Sequence, residues 1–137
     1  MDWKLELMII PVSDVDAAKA FYVEKAGFTV LMDVQLNAER RVARLHPPGS
    51  NCGIAIGTGL TAAVPGSASG MHLMVEDVAL AYSELSERGV EVHGPYHFVE
   101  GNQVAGLHAE RGPFESFLDF ADPDGNTWIV QEVPSEA

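Results

Sequence analysis

Residues 8–22, MIIPVSDVDAAKAFY, contain the pattern from which the fold is predicted, and residues 71–82, MHLMVEDVALAY, repeat it. In both copies an apolar strand leads to an aspartate, Asp14 or Asp77, which can cap a helix by accepting hydrogen bonds from the first helical amides. Apolar residues then recur at spacings of three and four, which is typical of an amphipathic helix. A glycine ends each helix before a second extended segment. The chain is therefore predicted to contain one structural unit twice.

Two further strands follow in each copy, so that the order βαβββ occurs twice. The predicted extra strands cover residues 41–45, 52–56, 115–120 and 127–133. These elements predict an α+β fold in a single domain, 1–137, with module one at about 1–57, a linker at 58–69 and module two at about 70–137. The polar, glycine-rich stretch Val99–Pro113 is predicted to be a long loop, of the kind that often forms a lid or a binding loop.

Charge and composition narrow the classes of partner. The 137 residues include 20 acidic and 8 basic side chains, and a formal charge of −12 disfavours binding to nucleic acids or to anionic membranes. The acidic surface promotes solubility, or it attracts a cationic ligand. The one cysteine, Cys52, cannot form an internal disulfide, and neither a long apolar run nor a signal-peptide pattern is present, so we expect a cytoplasmic location.

The repeat, the phrase Pro11–Ala18 running into Phe21-Tyr22 and the closing turn Asp122-Pro123-Asp124-Gly125-Asn126 together resemble the vicinal oxygen chelate superfamily. That group contains glyoxalase I, extradiol dioxygenases, methylmalonyl-CoA epimerase and the bleomycin-resistance proteins. The resemblance implies two modules whose strands form half-open barrels around a cavity, and it implies a homodimer. Because the superfamily includes both enzymes and non-enzymatic drug-binding proteins, the resemblance alone does not determine the function.

The resemblance also implies where metal ligands would stand in the members that use them. Those positions are occupied here by Leu7, Gly70 and Ile129, and the strand around Gly53–Ile56 holds no His, Asp or Glu. These side chains offer no donor to a divalent cation, so we expect no metal at the usual place. A shifted site remains open, because strand side chains two apart share a face. It would use His72 and Gln131, completed by His97, Glu100 or His108.

Candidate ligand-binding residues come from the same alternation. His72 and Gln131 are expected to point into the cavity of module two, whereas Glu132 should be solvated. The group Tyr96, His97 and Phe98, with His93 nearby, combines aromatic faces with titratable rings and could stack on a planar or cationic ligand. Alternatively, Tyr96 and Phe98 are ordinary strand residues, and both histidines lie on the surface. Arg111 is expected either to hold an anionic ligand group or to pair with one of the many acidic residues.

The leading hypothesis is a metal-independent small-molecule-binding protein that sequesters a drug or natural product. The alternative is an enzyme of the same superfamily, a lyase, isomerase or dioxygenase, with either a shifted metal site or metal-free acid–base chemistry. In the metal-free case His72 or His97 would be the catalytic residue, because a group titrating near neutral pH is required. A third possibility is a subunit that acts only through protein contacts.

Overall fold

The structure is a computed structural model and describes residues 1–135. In this part of the chain the elements are the strands β1 Leu7–Ile9, β2 Thr29–Asn37, β3 Arg40–His46, β4 Gly53–Thr58, β5 Met71–Val75, β6 His93–Val99, β7 Asn102–Ala105, β8 Phe117–Ala121 and β9 Thr127–Glu132, with the helices α1 Val15–Ala20 and α2 Val78–Glu87. A π-helical turn, Phe21–Lys25, follows α1. None of the described helices is long and apolar enough to cross a membrane.

The chain forms two compact units, and each unit has its own sheet. Unit one comprises Met1–Ala68 and Asp122–Asn126, and unit two comprises Ser69–Ala121 and Thr127–Ala137. The predicted α+β class and the two sheet modules are confirmed. The boundary at residue 68 lies inside the predicted linker, but the closing turn belongs to unit one although the strands on either side of it belong to unit two.

Unit one contains a four-stranded sheet in the order β1-β4-β3-β2. β1 runs parallel to β4, and the other neighbours are antiparallel. Helix α1 begins as predicted, because the Asp14 carboxylate accepts a hydrogen bond from the Ala17 amide at 3.0 Å. The side chains of Ala43, Leu45, Ile54 and Ile56 are buried and form the core of this unit.

The closing turn is fastened to unit one by buried hydrogen bonds. Tyr22 donates its hydroxyl to Asp122 Oδ2 at 2.7 Å, and Asn126 donates its amide to the Pro11 carbonyl at 2.8 Å. The Asn126 side-chain oxygen accepts the amide of Ala68 at 3.0 Å. These contacts leave no buried polar atom of the turn unpaired, and they explain why the turn is part of unit one.

Unit two contains a five-stranded sheet in the order β5-β9-β8-β6-β7, with β5 parallel to β9. Its helix α2 is capped by Asp77, which accepts the Leu80 amide at 3.1 Å, again as predicted. The structure differs from prediction in two places. The extended segment expected after the α2 glycine, from residue 90, begins as β6 only at His93, and β7 is an additional strand inside the stretch predicted to be a long loop.

The additional strand arises from a tight hairpin between β6 and β7. Val99 pairs with Asn102, so the connection is only Glu100-Gly101, and both residues have positive φ, 50° and 80°. Two-residue hairpin turns of this kind require such dihedrals at both positions. Glu at the first position is not a typical turn residue, which is why the sequence pattern did not predict the hairpin.

Candidate functional site

The five-stranded sheet of unit two has one face covered and one face open. Trp128, Val130, Leu118 and Phe120 alternate with the open-face residues and are buried, on the side where α2 lies against β6, β8 and β9. The register of the strands places the alternate side chains together on the open face. These are His72, Met74, Tyr96, Phe98, Gln103, Phe117, Asp119, Ile129 and Gln131.

Asp119 is the polar centre of this open face. Its Oδ2 accepts the Tyr96 hydroxyl at 3.0 Å and lies 3.0 Å from Nδ1 of His93. Burial raises the pKa of Tyr96, and the hydrogen bond to the Asp119 carboxylate raises it further, so the phenol stays a donor at neutral pH. The other oxygen, Oδ1, accepts no hydrogen bond from the residues in the described range. It is therefore available to a ligand.

The histidine of this cluster has a defined orientation. The carboxylate can only accept, so His93 donates from Nδ1 and its Nε2 is left to face outward. Its ring stacks on Tyr96 with centroids 5.1 Å apart. A pocket of about 320 Å³ adjoins the cluster and is lined by His93, Gly94, Pro95, Tyr96, Gln103 and Ala105.

Aromatic rings surround the polar centre. Tyr96 stacks on Phe117 with centroids 5.9 Å apart, and Phe98 meets both rings edge to face at 5.8 and 5.5 Å. Phe98 is 47% exposed, although a phenylalanine in a strand would ordinarily be covered. A few polar groups on an aromatic surface are what small-molecule sites commonly use to fix the orientation of a ligand.

The two residues predicted from alternation, His72 and Gln131, lie on the same open face. His72 is exposed and donates from Nδ1 to the Gly70 carbonyl at 3.0 Å, so its Nε2 is free to accept from a ligand. Gln131 is half-buried and pairs with Phe117 and Met74 of the neighbouring strands. Their contact with a ligand remains a prediction.

His97 does not join this group. Strand alternation places it on the opposite side of β6 from Tyr96 and Phe98, because it pairs with Val104. It donates from Nδ1 to the Gly106 carbonyl at 2.7 Å, and its ring meets that of His108 edge to face at 5.7 Å. Treating Tyr96, His97 and Phe98 as one binding group was therefore wrong in geometry.

Arg111 is engaged by the protein itself. It donates to both carboxylate oxygens of Glu132 and, at 3.0 Å, to Asp77. The hydrogen bond to Glu132 raises the pKa of the guanidinium. Of the two roles predicted for Arg111, the structure shows the pairing with acidic residues.

Glu132 was expected to be solvated, and that prediction is wrong. Its side chain is 1% exposed, and besides Arg111 it accepts the Val78 amide at 3.0 Å. Glu132 lies on the face of the sheet opposite Gln131, and that face is covered by α2. Strand alternation therefore places its carboxylate in the protein interior and not in water.

The side chains do not fit a divalent metal. Within residues 1–135 no three His, Cys, Asp or Glu side chains converge in a way that could hold an ion. The shifted position offers one imidazole, already bonded through Nδ1, and one neutral amide, and this donor set is weak for a divalent metal ion.

The residue of this cluster that sequence reasoning missed is Asp119. It lies two positions after Phe117 in a strand that was predicted, so alternation would have placed it on the same face as Phe117. His93 was expected near the Tyr96 group, and the irregular register between His93 and Tyr96 puts both next to Asp119 despite their odd separation.

Comparison with known families supports the fold. A sequence model of the Glyoxalase/Bleomycin resistance protein/Dioxygenase superfamily matches residues 4–130. Among curated proteins, YetH of Bacillus subtilis (strain 168), itself uncharacterized, is 28% identical over 124 residues, which cover 88% of this chain and 91% of YetH.

Two solved structures from Streptomyces sp. CB03234 are also similar. TnmS3, an antibiotic binding protein, is 32% identical, with 98% of each chain covered and a TM-score of 0.78. A glyoxalase/bleomycin resistance protein from the same organism is 32% identical, with 94% of this chain and 100% of that chain covered and a TM-score of 0.74.

Proposed function

Because the chain belongs to the glyoxalase/bleomycin resistance protein/dioxygenase superfamily, we propose that it is a metal-independent protein of the resistance type that sequesters an antibiotic or another natural product. The observation that carries the proposal is the open face of the unit-two sheet, where the aromatic rings of Tyr96, Phe98 and Phe117 surround an Asp119 carboxylate with one oxygen available. The similarity to TnmS3 supports an antibiotic as the ligand.

The physical roles divide between apolar and polar side chains. The exposed ring of Phe98 and the half-buried ring of Phe117 supply contact area and stacking surface, and aromatic contacts add about 1 kcal/mol beyond simple burial. Asp119 accepts a hydrogen bond from a ligand donor, while His72 and Gln131 offer further polar contacts at the other end of the same face. Tyr96 and His93 orient the carboxylate before the ligand arrives, which reduces the entropy lost on binding.

A panel of natural-product antibiotics tests this proposal by thermal shift, followed by calorimetry on each compound that stabilises the full chain. The stoichiometry should approach one ligand per chain. Asp119→Asn should weaken the affinity about 10-fold, the loss typical of a charge-assisted hydrogen bond. Glu84→Gln on the exposed side of α2 removes the same charge and should leave the affinity unchanged. If no compound binds, or if both variants behave alike, the proposal fails.

A metal-free enzyme is the second candidate, and the His93–Asp119 pair favours it. A carboxylate on Nδ1 holds an imidazole in the tautomer whose Nε2 can take a proton, as a general base must. His72, and His97 on the other face, were the bases predicted from sequence. Mass spectrometry of a bound compound after incubation separates the two functions: an altered ligand whose formation stops in His93→Gln indicates an enzyme.

The location and the assembly belong to the same proposal. We propose a cytoplasmic homodimer. The exposed apolar face of the unit-one sheet is the surface on which the second copy would pack. Leu7, Ile9, Met32 and Val34 share that face by register and are between 36% and 45% exposed. Sedimentation equilibrium should give twice the chain mass, and Ile9→Glu should give the single mass without unfolding the protein; a wild-type monomer would contradict the assembly.

A further inference from the structure

We infer that a second pocket of unit two, lined by Phe98, His108, Phe114, Glu115 and Phe117, receives the ammonium group of a cationic ligand. The inference rests on the proposed function and adds a ligand class to it: a small organic molecule that carries an alkylated amine. The pocket has a volume of about 210 Å³. Its lining combines three aromatic rings with one carboxylate.

The walls of this pocket are largely aromatic. Phe98 and Phe117 line it with their centroids 5.5 Å apart and their planes at 70°, so the two rings meet edge to face at a steep angle. A cation over the face of an aromatic ring is attracted by the negative charge density of that face, and several rings in an angular arrangement can surround an ammonium group. An uncharged apolar ligand would gain only the contact area.

Phe114 completes the lining from a constrained backbone. Its φ is 61°, an unusual value for a bulky residue, and its amide donates to the Glu132 carbonyl at 2.8 Å. The side chain is nevertheless 57% exposed. A strained backbone that holds a large apolar ring partly in solvent is typical of a ligand-binding position rather than of packing.

Glu115 supplies the charge. Its Oε2 accepts the Gly112 amide at 2.8 Å and lies 3.0 Å from Nδ1 of His108, while the side chain is 37% exposed. The same Nδ1 lies 3.1 Å from the Glu110 amide nitrogen, so the Glu115 carboxylate and this amide share one imidazole nitrogen. Glu115 is the carboxylate among the residues that line the pocket.

The negative charge of the chain is concentrated in unit two, the unit that contains this pocket. Unit two holds eleven acidic and two basic residues, a formal charge of −9, whereas unit one holds nine and six, a charge of −3. Of the two arginines in unit two, Arg111 is paired with Glu132 and Asp77, and Arg88 ends α2. The resulting negative field attracts cations to this unit in particular.

The test uses two probes of matched shape, choline and its uncharged analogue 3,3-dimethyl-1-butanol. Each is titrated into the full chain labelled with ¹⁵N, and amide shifts around Phe98, Gly112 and Glu115 report the occupancy of the pocket. Choline should bind at least about 5-fold more tightly than the alcohol, because only the cation gains from the rings and the carboxylate. Equal affinities, or shifts located elsewhere, would overturn the inference.

Variants separate the aromatic and charge contributions. Phe98→Leu keeps an apolar wall without a π face and should weaken choline about 3-fold while the alcohol is unchanged. Glu115→Gln keeps an acceptor for the Gly112 amide and should weaken choline by a similar factor, whereas Glu84→Gln, with the same change in net charge, should not. If Glu84→Gln weakens choline as much as Glu115→Gln, the attraction belongs to the overall field and not to this pocket.

The two proposals can fail separately. If the antibiotic panel stabilises the chain but choline does not select this pocket, the protein is a small-molecule binder and the cation site is wrong. If choline binds as described but no antibiotic does, the cation site stands and the resistance-type function fails.

Discussion

At the scale of single residues, Arg111 and Glu132 show how a partner decides a side chain's role. Glu132 is buried in a unit whose other arginine, Arg88, ends α2 on the surface, so Arg111 is the cation that compensates it. Removing one partner of a buried ion pair destabilises a protein strongly, because it leaves an uncompensated charge in the interior. The intact pair itself adds little net stability, so its importance lies in keeping the Glu132 charge compensated.

We predict that Arg111→Met lowers the free energy of unfolding by about 3 kcal/mol, because it leaves the Glu132 charge buried and alone. Urea denaturation measures the effect. The double variant Arg111→Met, Glu132→Gln should recover most of the loss, since glutamine keeps an acceptor for the Val78 amide without a charge. A double variant as unstable as the single one would show that packing, not charge, is responsible.

Prediction from sequence succeeds for a residue when one rule determines it. Alternation placed His72 and Gln131 on one face of their sheet. It failed for Glu132 because alternation does not say which face is covered, and it separates Tyr96 from His97 as soon as residues 93–99 are taken as one strand. The Asp119 cluster required three strands in register, which no local pattern specifies.

At the scale of elements, an ion network ties α1 to the sheet of unit one. Asp33 on β2 accepts from Arg41 on β3 at 2.8 and 3.0 Å and from Lys19 on α1 at 2.8 Å. Hydrogen bonds from these two cations, with that of Arg41 the larger, hold the pKa of the Asp33 carboxyl well below its usual range. The charged network thus fixes how the helix lies on its sheet.

This network predicts a dependence of stability on pH. A lowered pKa in the folded state means that the stabilisation is complete above the unfolded value of about 4 and is lost as the pH falls through the lowered pKa. Asp33→Asn should cost about 1 kcal/mol at pH 7 and less at pH 2.5, where part of the stabilisation has already been lost. Urea midpoints at the two pH values provide the measurement, and a loss of the same size at both would contradict the assignment.

For the hairpin between β6 and β7 we predict a substitution that raises the free energy of unfolding. Glu100 occupies a left-handed conformation, φ 50°, that asparagine adopts with less strain. Glu100→Asn should therefore raise the free energy of unfolding by about 0.5 kcal/mol in thermal denaturation. Gly101→Ala, with φ 80° at the neighbouring position, should lower it, and a matching increase in both variants would show that the turn is not as described.

The order of elements was predictable because each boundary carries its own signal. The capping aspartates, the glycines after the helices and the alternating strands gave both modules, which the structure confirms. The strand β7 was not predictable, since its residues, Asn-Gln-Val-Ala, are all exposed and only one of them is β-branched, and its turn begins with glutamate. Pairing with β6, and not propensity, makes it a strand.

At the scale of the whole molecule, the formal charge of −12 is unevenly distributed, with −9 in unit two and −3 in unit one. Like charges in unit two repel one another at a separation that salt can screen, because the Debye length falls from about 30 Å at 0.01 M to about 10 Å at 0.1 M. The same screening reduces the attraction of a distant cation. Stability and cation affinity should therefore respond to salt in opposite directions.

We predict that the thermal midpoint rises when sodium chloride is increased from about 0.01 M to about 0.3 M, while the affinity for choline falls over the same interval. Differential scanning calorimetry and the choline titration give the two curves. Sodium sulfate and sodium chloride compared at equal ionic strength distinguish screening from a general salt effect. A midpoint that is insensitive to chloride would mean that the acidic residues of unit two do not repel one another appreciably.

The turn Asp122–Asn126 has a consequence for the time course of biosynthesis. Tyr22 and Pro11 are made early, yet their hydrogen-bond partners lie about a hundred residues later in the chain. Until residues 122–126 have been synthesised, unit one cannot form these two hydrogen bonds. The part of unit one that is translated first is therefore completed only near the end of synthesis, and a chain truncated before residue 122 would lack the turn that completes this unit.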